Sequence, residues 1–329
     1  MQTRTYGDLF KLIQSLAGVA SFATNEQDDI ANLINRRFFE AYQTSQMWPR
    51  YLVPNDERKL AVINVKGNTG IYTTRNGLYY KFGEDSNGNP VYLGVNTNGT
   101  DQGDGQYFEK FTDGQWSLTG GSLTKNLDTG VVTKSGSISL LSQRDTSLRY
   151  DNPWDVVWGT SNVANEVNIV EKVQTVAFDE TEEIYDSSDT SKQKDTIGEF
   201  VRIHRTKPFE NLSSLEYDFY VSNEGANILN IANTSDTHVF VTYKQKFTPF
   251  TTSSDFESST EEVPSEFFHY IAHAAYADFL RTDGQTEKAM AEEATAQQYL
   301  AQELERVDVI MNNTTVNKRF STYVNRQSR

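Results

Sequence analysis

The sequence predicts an α+β protein whose N-terminal and C-terminal helix pairs form one four-helix bundle, with a large β region inserted between them. Three observations lead there. Apolar residues recur at helical spacing over residues 5–48 and again over 264–308. The stretch between them is rich in β-formers and hairpin turns. Neither helix pair can bury its apolar stripe alone, so the two pairs must meet.

The helices are justified in chain order. Thr5, with Asp8 three residues on, forms a capping box that starts helix one. Leu9, Leu12, Ile13 and Leu16 make its stripe, and Gly18 stops it. A second box, Thr24 with Gln27, starts helix two. Its stripe is Ile30, Leu33, Ile34, Phe38, Ala41 and Trp48, and Pro49 ends it. Pro264 opens helix three in the first-turn position that proline favours. Phe268, Ile271, Ala272, Ala275 and Phe279 form its stripe, and Asp283-Gly284 makes the turn that follows. Helix four covers residues 286–308, with Ala289, Ala296, Leu300, Leu304 and Val307 on one side and a Glu- and Gln-rich face opposite. Residues 1–52 and 264–310 are therefore expected to make the helical domain.

Two β subdomains are expected between them. A small inserted module, residues 66–142, carries the hairpin signals Asn76-Gly77, Asn87-Gly88 and Asp113-Gly114. Its strands are expected at 70–73, 78–82, 91–95, 107–111 and 137–141, with an exposed loop at 96–105. A second β region, residues 150–250, has longer strands at 167–178, 199–205, 215–221 and 237–247. The acidic stretches 179–196 and 251–262 carry few apolar residues and read as mobile loops or linkers. Residues 311–329 show no core pattern and are expected as an extended tail. That tail bears Val316, Lys318, Arg319, Phe320, Tyr323, Arg326 and Arg329, a basic and aromatic set on an acidic protein.

Composition excludes several functions. The 329 residues carry a formal net charge of −15, which disfavours wrapping DNA but suits a channel through which DNA slides without sticking. There is no cysteine, so disulfides, thiolate metal sites and a cysteine nucleophile are excluded. No apolar run approaches the length of a membrane span, and the first residues lack the apolar stretch of a signal peptide.

Candidate chemistry is sparse. His269 and His273 stand four apart, the zinc spacing of H-E-x-x-H, but Tyr270 replaces the glutamate and a third ligand is missing. Asp85-Ser86-Asn87-Gly88-Asn89 begins like a calcium loop, yet Pro90 and Asn96 break the pattern, so a tight turn is expected. No phosphate loop, nucleophile elbow or Cys/His arrangement is present. A glycosidase carboxylate pair has no support in the sequence. The aromatics of 78–82, Tyr92, 107–111 and Trp116 suit either a sugar-stacking platform or the core of a small sheet, and the core is the expectation.

The block V-P-S-E-F-F-H-Y-I-A-H-A-A-Y-A-D-F-L-R-T-D-G-Q-T-E-K-A at 263–289, followed by helix four, resembles the head-to-tail adaptor proteins of tailed bacteriophages. So does L-I-N-R-R-F-F-E-A-Y-Q-T-S-Q-M-W-P-R-Y at 33–51, and residues 199–247 fit that family's central β portion loosely. The family includes the tail tubular, or gatekeeper, proteins of short-tailed phages. The resemblance covers the two ends of the chain and implies a structural virion protein without catalysis or cofactor. It implies a dodecameric ring beneath the portal, built by the helical bundle. The C-terminal tail would dock into the portal protein, and the far side would receive a tail nozzle, stopper or fibre protein. DNA would pass through without specific binding. Such a protein belongs to the neck or tail of the virion and to the host cytoplasm during assembly. The alternative is a receptor- or glycan-binding virion protein acting through the 66–142 module.

Overall fold

Of the 329 residues, the computed structural model describes 4–66, 76–95, 106–110, 116–126, 129–139, 153–155, 167–179, 196–208, 215–229, 236–251 and 256–327. Within them the chain is mixed α+β. The elements begin with β1 (Arg4–Thr5), α1 (Tyr6–Ala17), α2 (Thr24–Gln43), β2 (Leu52–Lys59), β3 (Ala61–Lys66), β4 (Gly77–Glu84), β5 (Pro90–Val95) and β6 (Gln106–Lys110). They continue with β7 (Trp116–Lys125), β8 (Val132–Ser139), β9 (Pro153–Asp155), β10 (Val167–Ala177), β11 (Ile197–His204), β12 (Phe219–Val221) and β13 (Gly225–Ile228). The last are β14 (His238–Gln245), β15 (Glu262–Val263), α3 (Phe268–Thr282) and α4 (Thr286–Gln327). Residues 70–73, 96–105, Asp113-Gly114, 140–141 and 180–195, for which strands, loops, a turn and a linker are expected, lie outside the described residues.

The helices start and stop where local chemistry dictates. The Asp8 carboxylate accepts the Thr5 backbone N–H at 3.1 Å, and the Asp8 N–H donates back to Thr5 Oγ1 at 3.1 Å. At the other end Gly18 takes the left-handed conformation, φ 70°, that a side chain would resist. Helix α2 departs from its expected bounds. Ala23 caps it, its N–H bonded to Glu26 at 2.9 Å, while Gln27 turns back to the Phe22 carbonyl at 3.1 Å. It ends at Gln43 rather than at Trp48. The Thr44 hydroxyl donates to the Ala41 carbonyl at 2.7 Å, an alternative to continued helix. Trp48 lies beyond the helix yet is fully buried, and its indole N–H reaches the same Ala41 carbonyl at 3.1 Å. Helix α3 starts at Phe268 rather than at Pro264, because a turn intervenes, with the Phe267 N–H on the Pro264 carbonyl at 3.0 Å.

The expected extended tail is also corrected: α4 runs on to Gln327. Neither proline nor glycine, the residues that most disfavour a helix interior, interrupts residues 286–327.

The two chain ends, Met1–Leu52 and Phe247–Arg329, form one compact unit. One core joins Leu9, Phe10 and Ile13 of α1, Ile30, Ile34 and Phe38 of α2, Phe268, Ile271 and Ala275 of α3, and Ala296, Leu300 and Val307 of α4. This unit takes in more chain than 264–310. Phe250 stacks on Phe38 at 4.5 Å, and Asn35 holds the Phe250 backbone through bonds of 2.8 and 3.1 Å. The described part of the expected linker 251–262 is folded too. Phe256 is buried against Phe10 at 5.5 Å, Gln14 donates to Glu257 at 2.6 Å, and β15 pairs with β1. Gly7 makes this approach possible: a Cβ there would stand 2.6 Å from the Glu257 carbonyl oxygen.

Val53–Lys246 forms the other compact unit. The expected division into 66–142 and 150–250 is overturned by strand pairing. A ten-stranded sheet runs β12-β13-β10-β3-β4-β5-β6-β7-β8, with β9 also on β10. Strand β10 joins the two halves by pairing with β3, from Ile169 opposite Lys66 to Thr175 opposite Ala61. Beyond β3 the sheet curls until Val131, just before β8, bridges to Glu84 at the end of β4. Gly83 permits this, since a Cβ there would lie 2.5 Å from Val132 Cγ2. A second sheet orders β11-β14-β2, and its Ile203, Val239, Val241 and Tyr243 share a core with Val176, Ala226 and Ile228 of the larger sheet. In that unit the buried Arg58 donates to Asp56 at 3.0 Å and to the Tyr243 hydroxyl at 2.7 Å, tying β2 to β14. The Asp85 turn is tight, as expected, with Asp85 Oδ1 accepting the Asn87 and Asn89 N–H groups at 2.9 and 2.8 Å.

Phe267 is fully buried between Trp48, at 4.7 Å between ring centres, and Tyr51, at 6.2 Å. Phe267→Ala is expected to cost about 3–5 kcal/mol, seen as a lower urea midpoint. A loss under about 1 kcal/mol would remove Phe267 from the core set.

Candidate functional site

The most concentrated charge among the described residues lies where α2, α3 and α4 meet. Arg37 on α2 and Asp278 on α3 are both buried. They bond in a two-pronged fork, Nε to Oδ2 at 2.6 Å and Nη2 to Oδ1 at 2.7 Å. Arg37 also reaches Glu293 on α4 at 2.8 Å and Glu40 at 2.8 Å. Asp278 takes two more guanidiniums, Arg36 at 2.8 Å and Arg281 at 2.7 Å. Three cations thus face three anions. Burial alone would raise the Asp278 carboxyl, but the bonds and charges of Arg37, Arg36 and Arg281 outweigh it and hold the group below the usual carboxylate range. Burial likewise works against the Arg37 charge, and Asp278, Glu293 and Glu40 overcome it, so its pKa is raised. Chemically this is a saturated clamp: each ion is already engaged, so none serves as base or nucleophile.

The residues expected in the core are placed as follows. Leu9, Ile13, Ile30, Ile34, Phe38, Trp48, Phe268, Ile271, Ala275 and Leu300 are buried in one cluster. Leu12, Leu33, Phe279 and Leu304 are half-buried against it, and Leu16 is half-buried outside it. Of the tail residues, Val316, Lys318, Arg319, Phe320, Tyr323 and Arg326 fall on the backbone of α4, with side chains outside the described set; Arg329 lies outside the described residues.

The histidine pair does not gather a metal site. Both rings stack on Tyr299 of α4, at 5.1 and 5.4 Å, and His273 Nδ1 lies 2.7 Å from Glu292. Among the described residues no group of three or more His, Asp or Glu side chains is arranged to hold a metal ion. The platform aromatics Tyr79, Tyr80, Phe82, Tyr107 and Phe108 are buried as sheet core, and Phe111 lies outside the described residues. Tyr92 and Trp116 are half-buried and pair at 6.0 Å. A cleft of about 350 Å³ lies between Trp48–Arg50 and the Glu303–Val307 stretch of α4. Of its charges, Arg50 pairs with Glu262 at 2.9 Å and Arg306 with Glu303 at 3.4 Å, and Glu266 accepts the Ser265 hydroxyl at 3.3 Å. Among the described residues no helix is long and apolar enough to cross a membrane.

Comparison with protein-family models, with curated proteins and with solved structures finds no match.

The charge clamp went unforeseen, although one signal for it exists. Asp278 follows Ile271 and Ala275 at helical spacing, a carboxylate set in an apolar stripe, which calls for a buried cation. Arg37→Ala leaves Asp278 buried without its main partner and is expected to cost about 3–5 kcal/mol in urea unfolding. The double change Arg37→Met with Asp278→Leu is expected to recover most of that loss. Because the folded carboxyl sits below its unfolded value, Asp278 stabilises fully above about pH 4 and loses its contribution as pH falls through the folded value. Asp278→Asn should flatten that part of the acid-unfolding curve.

Proposed function

We propose that this chain is a structural ring protein of a phage neck, an adaptor between portal and tail, without catalysis. The observation that supports it most is architectural. Both chain ends fold into a single helical unit, and Val53–Lys246 is inserted between them as one β unit. An adaptor needs such a division, with one body for self-assembly and another for varied contacts. In this reading the four helices form a bundle that packs against neighbouring copies into a dodecameric ring. The clamp of Arg37, Asp278 and Glu293 supports the reading by holding three of those helices in register.

The basic C-terminal part of α4 is the portal-docking element in this proposal, presented as helix rather than as extended peptide. The β unit faces a nozzle, stopper or fibre protein. The net charge of −15 suits a passage that DNA traverses without binding. The buried aromatics of β4 and β6 lend no support to the sugar-platform alternative.

Native mass spectrometry of the chain, alone and with a portal protein, is expected to show a ring or a ring-competent monomer. A stable trimer would sink the proposal. Deleting residues 316–329 should abolish portal binding with the far-UV spectrum otherwise preserved; retained binding would refute the docking role. DNA binding in moderate salt is expected to be negligible, and tight binding would argue against the repulsive passage.

A further inference from the structure

One corner of the helical unit gathers titratable groups that the clamp does not use. His269 and His273 occupy the first two turns of α3 and both stack on Tyr299 of α4, their rings 25° and 24° from its plane. Glu292, also on α4, is committed to His273 at 2.7 Å. Tyr276 of α3 also feels the Glu292 charge. From β1, the Arg4 guanidinium stands 4.4 Å over the Phe268 ring, next in chain to His269. Thus β1, α3 and α4 all converge here, and two of the neighbours of His269 are cations or can become cations.

We propose that this corner is a pH-responsive latch, in which protonation of His269 loosens the hold of β1 and of the first half of α4 on the start of α3. The reason is electrostatic. A charge on His269 would face Arg4, His273 and the positive end of the α3 dipole, while the Glu292 carboxylate on α4 is already bonded to His273. Stacking of both rings on Tyr299 makes that repulsion act directly on the α3–α4 contact. Burial first, then Arg4 and His273, hold His269 below the ordinary histidine value, so the ring is neutral in the latched state at pH 7. A folded value below the unfolded one has a defined sign. The latch is intact above the unfolded value, about pH 6.5, and its stabilisation is lost as pH falls through the folded value. This is a property of the helical unit and holds whether or not the chain forms a ring.

Hydrogen exchange of the full chain, read by mass spectrometry at several pH values and corrected for intrinsic exchange, tests it. Opening of residues 4–8 and 290–300 should rise by up to about tenfold per pH unit between pH 6.5 and 5, the slope of one proton. His269→Gln should flatten that rise, whereas His238→Gln, in the β unit, should leave it unchanged. An unchanged slope in His269→Gln, or a flat wild-type profile, overturns the proposal. Should His269→Gln loosen the corner at every pH, proton NMR of the wild type decides. The His269 ring titration and the Tyr299 ring shifts must then share one midpoint, and separate midpoints overturn the latch.

Discussion

The fork between Arg37 and Asp278 constrains the helical unit more tightly than any apolar contact in it. Apolar side chains tolerate sliding, because one methyl group replaces another at little cost. A buried guanidinium does not: it must find its carboxylate within hydrogen-bond reach or carry the full cost of desolvation. Here the two helices that meet at the fork come from opposite ends of the chain, α2 and α3, and Glu293 brings in α4. Desolvation offsets most of the attraction within a buried ion pair, so the network's net contribution to stability is small. Its effect is selective, since a register shift of one helical turn would leave three buried or half-buried ions without partners. The hydrophobic core supplies the driving force, and the ions choose among its possible packings.

Around that constraint the rest of the unit closes by short-range devices. Gly7 lets the 256–259 stretch lie against α1, and Phe256 then fills the space beside Phe10. Asn35 takes up both backbone groups of Phe250, a residue that would otherwise bring unsatisfied amides into an aromatic core. The ring cluster of Phe38, Phe247, Phe250 and Phe267 explains how a chain of modest hydrophobic content still builds a packed core. The β unit has its own closure, set by β10 pairing with β3 and by the curl that brings Val131 to Glu84.

Much of this was legible in the sequence, and the failures have physical causes. The Thr5–Asp8 box and Gly18 bound α1 because both signals are local and unambiguous. The apolar stripes of the four helices, Leu16 and Ala289 apart, lie in or against the core because period and burial coincide. The spacing of Trp48 fits the helix, but α2 ends at Gln43, where the Thr44 hydroxyl bonds the Ala41 carbonyl. The two expected β subdomains merged because strand pairing between β3 and β10 is long-range, and no local pattern encodes it. The polar stretch 251–262 concealed Phe256, one aromatic whose partner, Phe10, lies at the other end of the chain. The clamp was unseen for the same reason: Arg36-Arg37 looks like a solvated pair until Asp278 is placed beside it.

The length of α4 connects these parts to function. At about 1.5 Å per residue, a 42-residue helix spans about 63 Å, far longer than the 15-residue α3 it packs against. Its first half is held by Glu293 in the clamp and by Glu292 and Tyr299 at the histidine corner. Its second half carries the basic residues assigned to docking in the ring reading. A continuous helix carries a displacement along its axis more directly than a loop would. In the ring reading, a change at the histidine corner is carried toward the docking end by this one helix. An extended tail, the expectation from sequence, would have carried no such coupling. The helical continuation therefore turns a tether into a lever, with the corner at His269 as the point where acid would act on it.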